Sequence, residues 1–191
     1  MTMNRPLHEM TLEELWELFP IFLTEHKEYW PEWYKEEQAF LSEVLREKQV
    51  VRISHIGSTA IREIWAKPII DILVEVEAQT DMLSVKDVLT SNGYLCMSED
   101  ETRISFNKGY TENGFAEKVF HLHLRYAGDN DELYFRDYLN ENITAAKEYE
   151  ELKLSLWKLY EHDGDSYTNA KTCFVTDITK AAKEMYCGRY M

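Results

Sequence analysis

The most informative part of this sequence is the stretch HIGSTAIREIWAKPIID, which runs from His55 to Asp71. An apolar segment leads into Gly57 and Ser58, and twelve residues separate Ser58 from Asp71. Glycine permits a tight turn and a close backbone approach to a ligand, while the serine hydroxyl and the amides after it can bind phosphate oxygens. We therefore expect a Gly-Ser turn that lies beside a carboxylate on a neighbouring strand.

Asp71 interrupts the apolar run PIIDILVEVE, which spans Pro68–Glu77. This run and the segment VVRISHI (Val50–Ile56) both alternate in the manner of β-strands. An ionised carboxylate inside a strand that is buried on both faces would be costly. Asp71 is therefore expected at a strand end or facing a cleft, where a cation can pair with it. The alternative is an ordinary aspartate that accepts a hydrogen bond from a loop amide.

The rest of the chain predicts an α+β fold, in which a mixed sheet packs against helices. Apolar residues recur at helical spacing in residues 1–48 and again in residues 127–191, whereas residues 49–126 hold the strand candidates. Two further strands are predicted over residues 102–109 and 118–126, and a helix is predicted to close the chain over residues 166–186. No repeat or Gly/Ser linker interrupts the sequence, so we expect residues 1–191 to form a single domain.

The formal net charge of −14 indicates that this chain does not bind nucleic acid, because no Lys/Arg run builds a local basic groove. A small-molecule partner is expected instead, and a divalent cation would have to mediate the approach of a nucleotide. No window approaches the roughly 20 apolar residues of a membrane helix, and the N-terminus lacks the features of a signal peptide. The three cysteines are widely spaced and suggest no disulfide framework. These features predict a cytoplasmic protein with no membrane partner.

Five segments together resemble the GrpB-like family of nucleotidyltransferase-fold proteins. They are HIGSTA, AKPIIDI, HLH (His121–His123), FRDYL (Phe135–Leu139) and the segment from Tyr167 to Lys171. Members of this family occur alone or as a domain attached to dephospho-CoA kinase. The resemblance implies a nucleotidyltransferase-like mixed sheet with extra N- and C-terminal helices. In nucleotidyltransferases the serine of the Gly-Ser turn holds the triphosphate, and the carboxylates of an Asp-x-Asp or Asp-x-Glu motif hold Mg²⁺.

The sequence departs from an active transferase two residues after Asp71. Leu73 occupies the position at which such an enzyme normally carries its second carboxylate. Glu75 and Glu77 are expected on the same face, but Glu75 lies roughly 13 Å along the strand, too far to share one metal ion directly. We interpret Glu75 and Glu77 as an acidic strand end in solvent.

His121 and His123 stand on the strand that usually supplies a third carboxylate. Side chains two apart on a strand share one face, so this pair predicts a metal site that Asp71 or His55 completes. Mg²⁺ or Mn²⁺ is the expected ion, with Zn²⁺ as an alternative. Asp71 and His123 are the expected catalytic residues, since a histidine can act as a general base near neutral pH. The alternatives are that the histidines bind phosphate or hydrogen-bond within a polar cleft.

Several side chains are placed to meet the phosphates of a ligand. The predicted phosphate-binding residues are Gly57, Ser58, Thr59, Arg62, Lys67 and Lys108, and the further cations are Arg136 and Lys171. Each cation alone is more often a surface charge or an ion-pair partner. Arg136 and Asp137 are expected to tie their helix to the sheet.

Three functional hypotheses follow from these residues. The first is a metal-dependent nucleotidyltransferase that uses a nucleoside triphosphate and a small-molecule acceptor. The second is a catalytically degenerate module, related to coenzyme A metabolism, that binds a nucleotide or another phosphorylated small molecule. The third is a metal-dependent hydrolase of a phosphate ester, with His55, Asp71, His121 and His123 as ligands. The aromatic N-terminal helices are expected to pack on the core, and a homodimer face is the alternative.

Overall fold

A computed structural model describes residues 6–190, and its centre is a five-stranded mixed sheet. The strands are β1 (Val50–Ile56), β2 (Ile70–Val76), β3 (Leu95–Glu99), β4 (Arg103–Thr111) and β5 (Gly114–Tyr126). They lie in the order β1-β2-β5-β4-β3, with β2 and β5 parallel and the other neighbouring pairs antiparallel. The predicted α+β class with a mixed sheet is confirmed.

Helices precede and follow the strands, as the sequence predicts, and α3 connects β2 to β3. They are α1 (Leu12–Leu18), α2 (Trp30–Val44), α3 (Met82–Ser91), α4 (Asp131–Glu141), α5 (Ile143–Leu159), α6 (Gly164–Asn169) and α7 (Thr172–Met185). The predicted closing helix is divided into α6 and α7, with the break at Ala170 and Lys171. The first five residues of the predicted N-terminal segment and residue 191 lie outside the described residues. Between residues 6 and 190, no helix is long and apolar enough to cross a membrane.

One face of the sheet carries the main hydrophobic core. Side chains from the two central strands and from α2 and α3 are buried there: Ile70, Ile72, Val74, Leu122, Leu124, Trp30, Leu41, Val85 and Leu89. Burial of a large apolar side chain contributes roughly 1.5–3 kcal/mol before entropy is counted. This face therefore fixes which side chains of each strand point toward α2 and α3, and which point away.

The opposite face of the sheet is polar along its two central strands. The register places three pairs of side chains next to each other: Asp71 with His121, Leu73 with His123, and Glu75 with Arg125. Leu73 is buried and packs against Leu133 of α4, so the C-terminal helices cover this face. The polar residues are thereby held between the sheet and the helices that follow it.

Glu75 is fully buried, so its interpretation as a solvent-exposed acid is wrong. Its carboxylate accepts hydrogen bonds from the Gly128 amide at 3.2 Å and the Asn130 side chain at 2.8 Å, and it pairs with Arg52 at 2.9 Å. These partners come from β1 and from the connection between β5 and α4, and they compensate for the buried charge. Glu77 is exposed, as expected.

The edge strand β3 was not predicted from the sequence. Leu95 and Met97 are 47% and 59% exposed, so the large apolar side chains of this strand point to solvent rather than to the core. An apolar residue on the solvent side removes the inside–outside alternation by which strands are recognised. The exposure of these apolar side chains is therefore the physical reason why β3 was not predicted.

Candidate functional site

The Gly-Ser turn lies directly against Asp71. Ile56, the last residue of β1, pairs with Asp71 of β2, and Gly57 follows with a positive φ of 68° and a ψ of −171°. A β-carbon at Gly57 would lie 2.1 Å from Oδ2 of Asp71. Only glycine tolerates both this backbone conformation and this contact. The sequence-based expectation of a Gly-Ser turn beside a strand carboxylate therefore describes the geometry correctly.

Asp71 is an ionised carboxylate held by two histidines. Its Oδ1 atom lies 3.4 Å from Nδ1 of His121 and 3.9 Å from Nε2 of His123. Burial alone would raise the pKa of Asp71, but hydrogen bonds and charge from both histidines outweigh burial and hold this pKa well below its usual range. The hydroxyl of Tyr110 lies 2.7 Å from Nε2 of His121 and fixes that ring from the other side.

His55 points to the opposite face of the sheet from Asp71. It pairs with Ile72, its ring stacks on Tyr34 at 4.8 Å, and its Nε2 atom lies 3.0 Å from the Thr59 hydroxyl. Burial lowers the pKa of His55 to about 4, so the ring is neutral. The Thr59 hydroxyl donates to the carbonyl of Ile69 and is buried, so both side chains are used inside the fold rather than in the predicted site.

The four predicted metal ligands do not form one metal centre. Asp71, His121 and His123 converge, but His55 lies on the other face and buried Leu73 offers no ligand atom. Across the described residues, no group of three or more His, Cys, Asp or Glu side chains is arranged to hold a metal ion. The divalent-metal site therefore stays a prediction, and of its four predicted ligands Asp71, His121 and His123 are the ones that lie together.

Two of the three predicted phosphate-binding cations lie away from Asp71. Lys108 is on the face of the main core, where it pairs with Glu37 at 2.6 Å. Arg62 is exposed, and its backbone amide donates to Asn140. Arg136 donates to the carbonyl of His55 at 2.8 Å, which ties α4 to β1 as expected. Of these predicted cations, Lys67 joins the site.

Three lysines converge on the polar face, and we call Lys67, Lys153 and Lys171 the lysine cluster. The ammonium groups of Lys67 and Lys171 lie 5.4 Å and 4.1 Å from the ring centroid of Tyr167. The ammonium group of Lys153 lies 4.8 Å from the ring centroid of Tyr149 and donates to the carbonyl of Trp65. The cluster thus brings together Lys67 from the segment before β2, Lys153 from α5, and Lys171 from the break between α6 and α7.

The lysine cluster is next to the Gly-Ser turn and, within residues 6–190, makes no ion pair with a carboxylate. The Tyr149 side chain, which contacts Lys153, also hydrogen-bonds to the Ser58 side chain. Asp71 acts electrostatically on Lys67 and Lys171, yet neither they nor Lys153 form an ion pair with any carboxylate between residues 6 and 190. The positive charge of the cluster is therefore only partly compensated.

Burial and mutual repulsion both weaken proton binding by these lysines. Burial, followed by repulsion from Lys171, lowers the pKa of Lys153 to about 7. Burial, followed by repulsion from Lys67, lowers the pKa of Lys171 to about 7. Burial also lowers the pKa of Lys67, although Asp71 opposes the shift. Such shifts arise where charged groups lack a nearby counter-charge.

Sequence reasoning missed Tyr149 and Lys153. Both lie on the buried side of α5, four residues apart, with buried Leu156 one turn further on. A lysine within an otherwise buried helical stripe is unusual, and this spacing was the available signal. The electrostatic interaction of Lys153 with Lys67 was not predictable, since it joins segments far apart in the chain.

Comparisons with known proteins agree with this architecture. The sequence model of the GrpB protein family matches residues 20–181. The glutamate-rich protein GrpB of Alkalihalophilus pseudofirmus is 40% identical over 164 residues, which cover 83% of this chain and 93% of that protein. The UPF0157 protein YqkA of Bacillus subtilis is 30% identical over 167 residues, which cover 86% of this chain and 48% of that protein.

A solved structure extends the likeness to three dimensions. The crystal structure of the conserved protein GrpB from Enterococcus faecalis matches with a TM-score of 0.74 and 30% sequence identity. The match covers 86% of this chain and 99% of the other. On the evidence of sequence and fold together, this chain belongs to the GrpB protein family.

Proposed function

We propose that this chain binds the phosphate groups of a nucleoside triphosphate, or of another phosphorylated small molecule, at the lysine cluster. The observation that carries the proposal is the convergence of Lys67, Lys153 and Lys171 beside the Gly-Ser turn, where they form no ion pair with any carboxylate of the described part of the chain. In a chain of net charge −14, grouping three lysines whose charge is only partly compensated by Asp71 and Glu150 is costly. A bound polyanion would supply the missing counter-charge.

The cluster suits phosphate for reasons of both charge and geometry. Ammonium groups bind phosphate as point charges, and the half-buried position of Lys67 and Lys171 would strengthen each contact relative to water. The Ser58 hydroxyl adds a neutral hydrogen-bond group. Lys67 and Lys171 are partly exposed, come from separate segments and would contact the anion, whereas buried Lys153 would act through its charge. This arrangement favours a small ligand over a polynucleotide.

Nucleotidyl transfer is the second candidate, and the ionised Asp71 beside the turn favours it. A carboxylate next to bound phosphates is the group that a transferase needs first. The described side chains do not complete a metal centre, so we assign no metal-dependent step. The hydrolase hypothesis is weakened further, because one of its four ligands, His55, faces away.

Calorimetric titration with tripolyphosphate and with ATP, both in EDTA, tests phosphate binding. Lys171→Met removes one ammonium group and should reduce the affinity for either ligand by about 10- to 150-fold. This factor corresponds to the free energy of one charge-assisted hydrogen bond. Lys180→Met is the matched control, because Lys180 is an exposed lysine on α7. Equal affinity of Lys171→Met and wild-type protein, or an equal loss in the control, would contradict the proposal.

Asp71→Asn separates binding from transfer. If Asp71 serves only as a partial counter-charge, the variant should bind ATP in EDTA as well as, or better than, the wild type. If Asp71 recruits a metal ion for transfer, Mg²⁺ or Mn²⁺ should strengthen ATP binding by the wild-type protein and not by the variant. Absence of any metal effect in the wild type would leave binding as the function and remove the transferase candidate.

A further inference from the structure

A cavity of about 300 Å³ opens beside the lysine cluster and is lined mainly by aromatic and apolar side chains. The side chains that matter here are Phe22, Tyr29, Trp33, Phe115 and Lys67, and we call this cavity the aromatic pocket. We propose that the aromatic pocket holds the nucleobase of a nucleotide whose phosphates bind at the lysine cluster. The inference rests on the proposed function and names the ligand class that would occupy the remainder of the site.

Lys67 joins the aromatic pocket to the lysine cluster. It lines the pocket, and its ammonium group lies 5.4 Å from the Tyr167 ring that also contacts Lys171. A ligand that filled the pocket would therefore meet a cluster cation at the pocket wall. This is the placement expected for a planar ring connected to phosphates.

A second route connects the pocket to Asp71. Phe115 lines the pocket, and its ring lies 5.2 Å from that of Tyr110. Tyr110 in turn contacts His121, which contacts Asp71. The pocket and the polar site are thus linked by side-chain contacts through Tyr110 as well as through Lys67.

The pocket has the surface chemistry that a nucleobase requires. Phe22 and Tyr29 are 37% and 45% exposed, although large aromatic side chains are usually covered. Tyr29 and Trp33 form one wall, with ring centroids 4.6 Å apart. Aromatic rings stack on the π-face of any base, and the cavity volume is at the lower end of the range for small-molecule sites. It therefore suits a single ring system.

The test compares calorimetric affinities for tripolyphosphate and for each of the four ribonucleoside triphosphates. Stacking of one base should make at least one nucleotide bind roughly 5- to 150-fold more tightly than tripolyphosphate. Phe22→Ser and Tyr29→Ser should each reduce this advantage several-fold and leave tripolyphosphate affinity unchanged. Both residues are partly exposed, so the variants should fold. Leu159→Ser, at a position that is 72% exposed and outside the pocket, is the control.

The outcomes distinguish this inference from the proposed function. If tripolyphosphate binds but no nucleotide binds more tightly, or if the advantage survives both substitutions, the aromatic pocket does not hold a base. If neither tripolyphosphate nor any nucleotide binds, the proposed function itself fails.

Discussion

Gly57 is the residue on which the site geometry depends most directly. Its φ of 68° and ψ of −171° fall in a region that only glycine occupies readily, and a β-carbon would meet the Asp71 carboxylate at 2.1 Å. Gly57→Ala should therefore lower the free energy of unfolding by about 1–3 kcal/mol and displace Asp71. Urea denaturation measures the first effect, and a higher ATP affinity in EDTA, caused by removal of a partial counter-charge from the lysine cluster, would report the second.

Gly93→Ala is the matched control for this substitution. Gly93 also has a positive φ, 88°, but no atom of the residues that the structure describes lies within 4 Å of the position that its β-carbon would take. The control should lose stability through backbone strain alone and should bind ATP normally. The contact of Gly57 with Asp71 would be unimportant for stability and for binding if two results were found together. Gly57→Ala would lose no more stability than the control, and its ATP affinity would be unchanged.

Single residues also show where sequence reasoning succeeded and where it failed. The contact of Gly57 with Asp71 was predictable, because it joins the end of one strand to its hydrogen-bonded neighbour. The placement of His55 with Asp71 was wrong, because His55 pairs with Ile72 and so shares the opposite face. A one-residue change of register reverses every face of a strand, and composition does not fix that register.

At the scale of elements, Glu75 fastens β2 to the connection between β5 and α4. Its carboxylate binds the Gly128 amide and the Asn130 side chain and pairs with Arg52 of β1. Glu75→Gln keeps the shape but removes the charge, so it should lower the free energy of unfolding by about 1–3 kcal/mol. Urea denaturation checks this value.

Glu77→Gln provides the control, since Glu77 directly follows the last residue of β2 and is exposed. It should change stability by less than about 0.5 kcal/mol. ATP affinity should be unchanged in both variants, because Glu75 lies roughly 13 Å along the strand from Asp71. Similar stability of the two variants would argue that the buried contacts of Glu75 are not stabilising.

Some elements that build the site were predictable from the sequence, and others were not. β1, β2 and the turn between them were predicted because their apolar alternation is local. β3 was missed because its large side chains face solvent, and the break at Lys171 was missed because the sequence around it is helical throughout. Lys171 contacts the Tyr167 ring from this break.

At the scale of the molecule, a strongly acidic chain encloses a small cationic site. The net charge of −14 opposes the approach of any anion, whereas the lysine cluster attracts an anion that has entered. The fold class and the position of the Gly-Ser turn beside Asp71 were predictable from the sequence. The cluster was not, because Lys67, Lys153 and Lys171 meet only after β2, α5 and the α6–α7 break have packed together.

The depressed pKa values of the cluster predict that anion binding takes up protons. In the free protein the pKa of Lys153 and of Lys171 is lowered to about 7, so at pH 8 both are mostly neutral. A bound polyphosphate favours the charged forms and raises both pKa values. Binding at pH 8 should therefore take up protons, and affinity should fall as the pH rises from 7 to 9.

The same shifts have an opposite consequence for the folded state without ligand. Because the folded pKa, about 7, lies below the ordinary lysine value of 10.5, the unfolded chain binds more protons between these two pH values. These lysines therefore increase the free energy of unfolding of the free protein as the pH rises through this window. The affinity for the bound polyphosphate falls over the same window. Lys171→Met should reduce both pH dependences, because it removes one of the two titrating groups.

Titration with ATP at pH 8, in buffers of different ionisation enthalpy, measures the proton uptake directly. Phosphate has a second pKa of about 6, so the ligand is already ionised at this pH and the protons must be taken up by the protein. Lys171→Met should take up fewer protons than the wild type, and Lys180→Met should take up the same number, since Lys180 is exposed. If ATP binds without proton uptake and with equal affinity at pH 7 and pH 9, the lysine cluster is not where its phosphates lie.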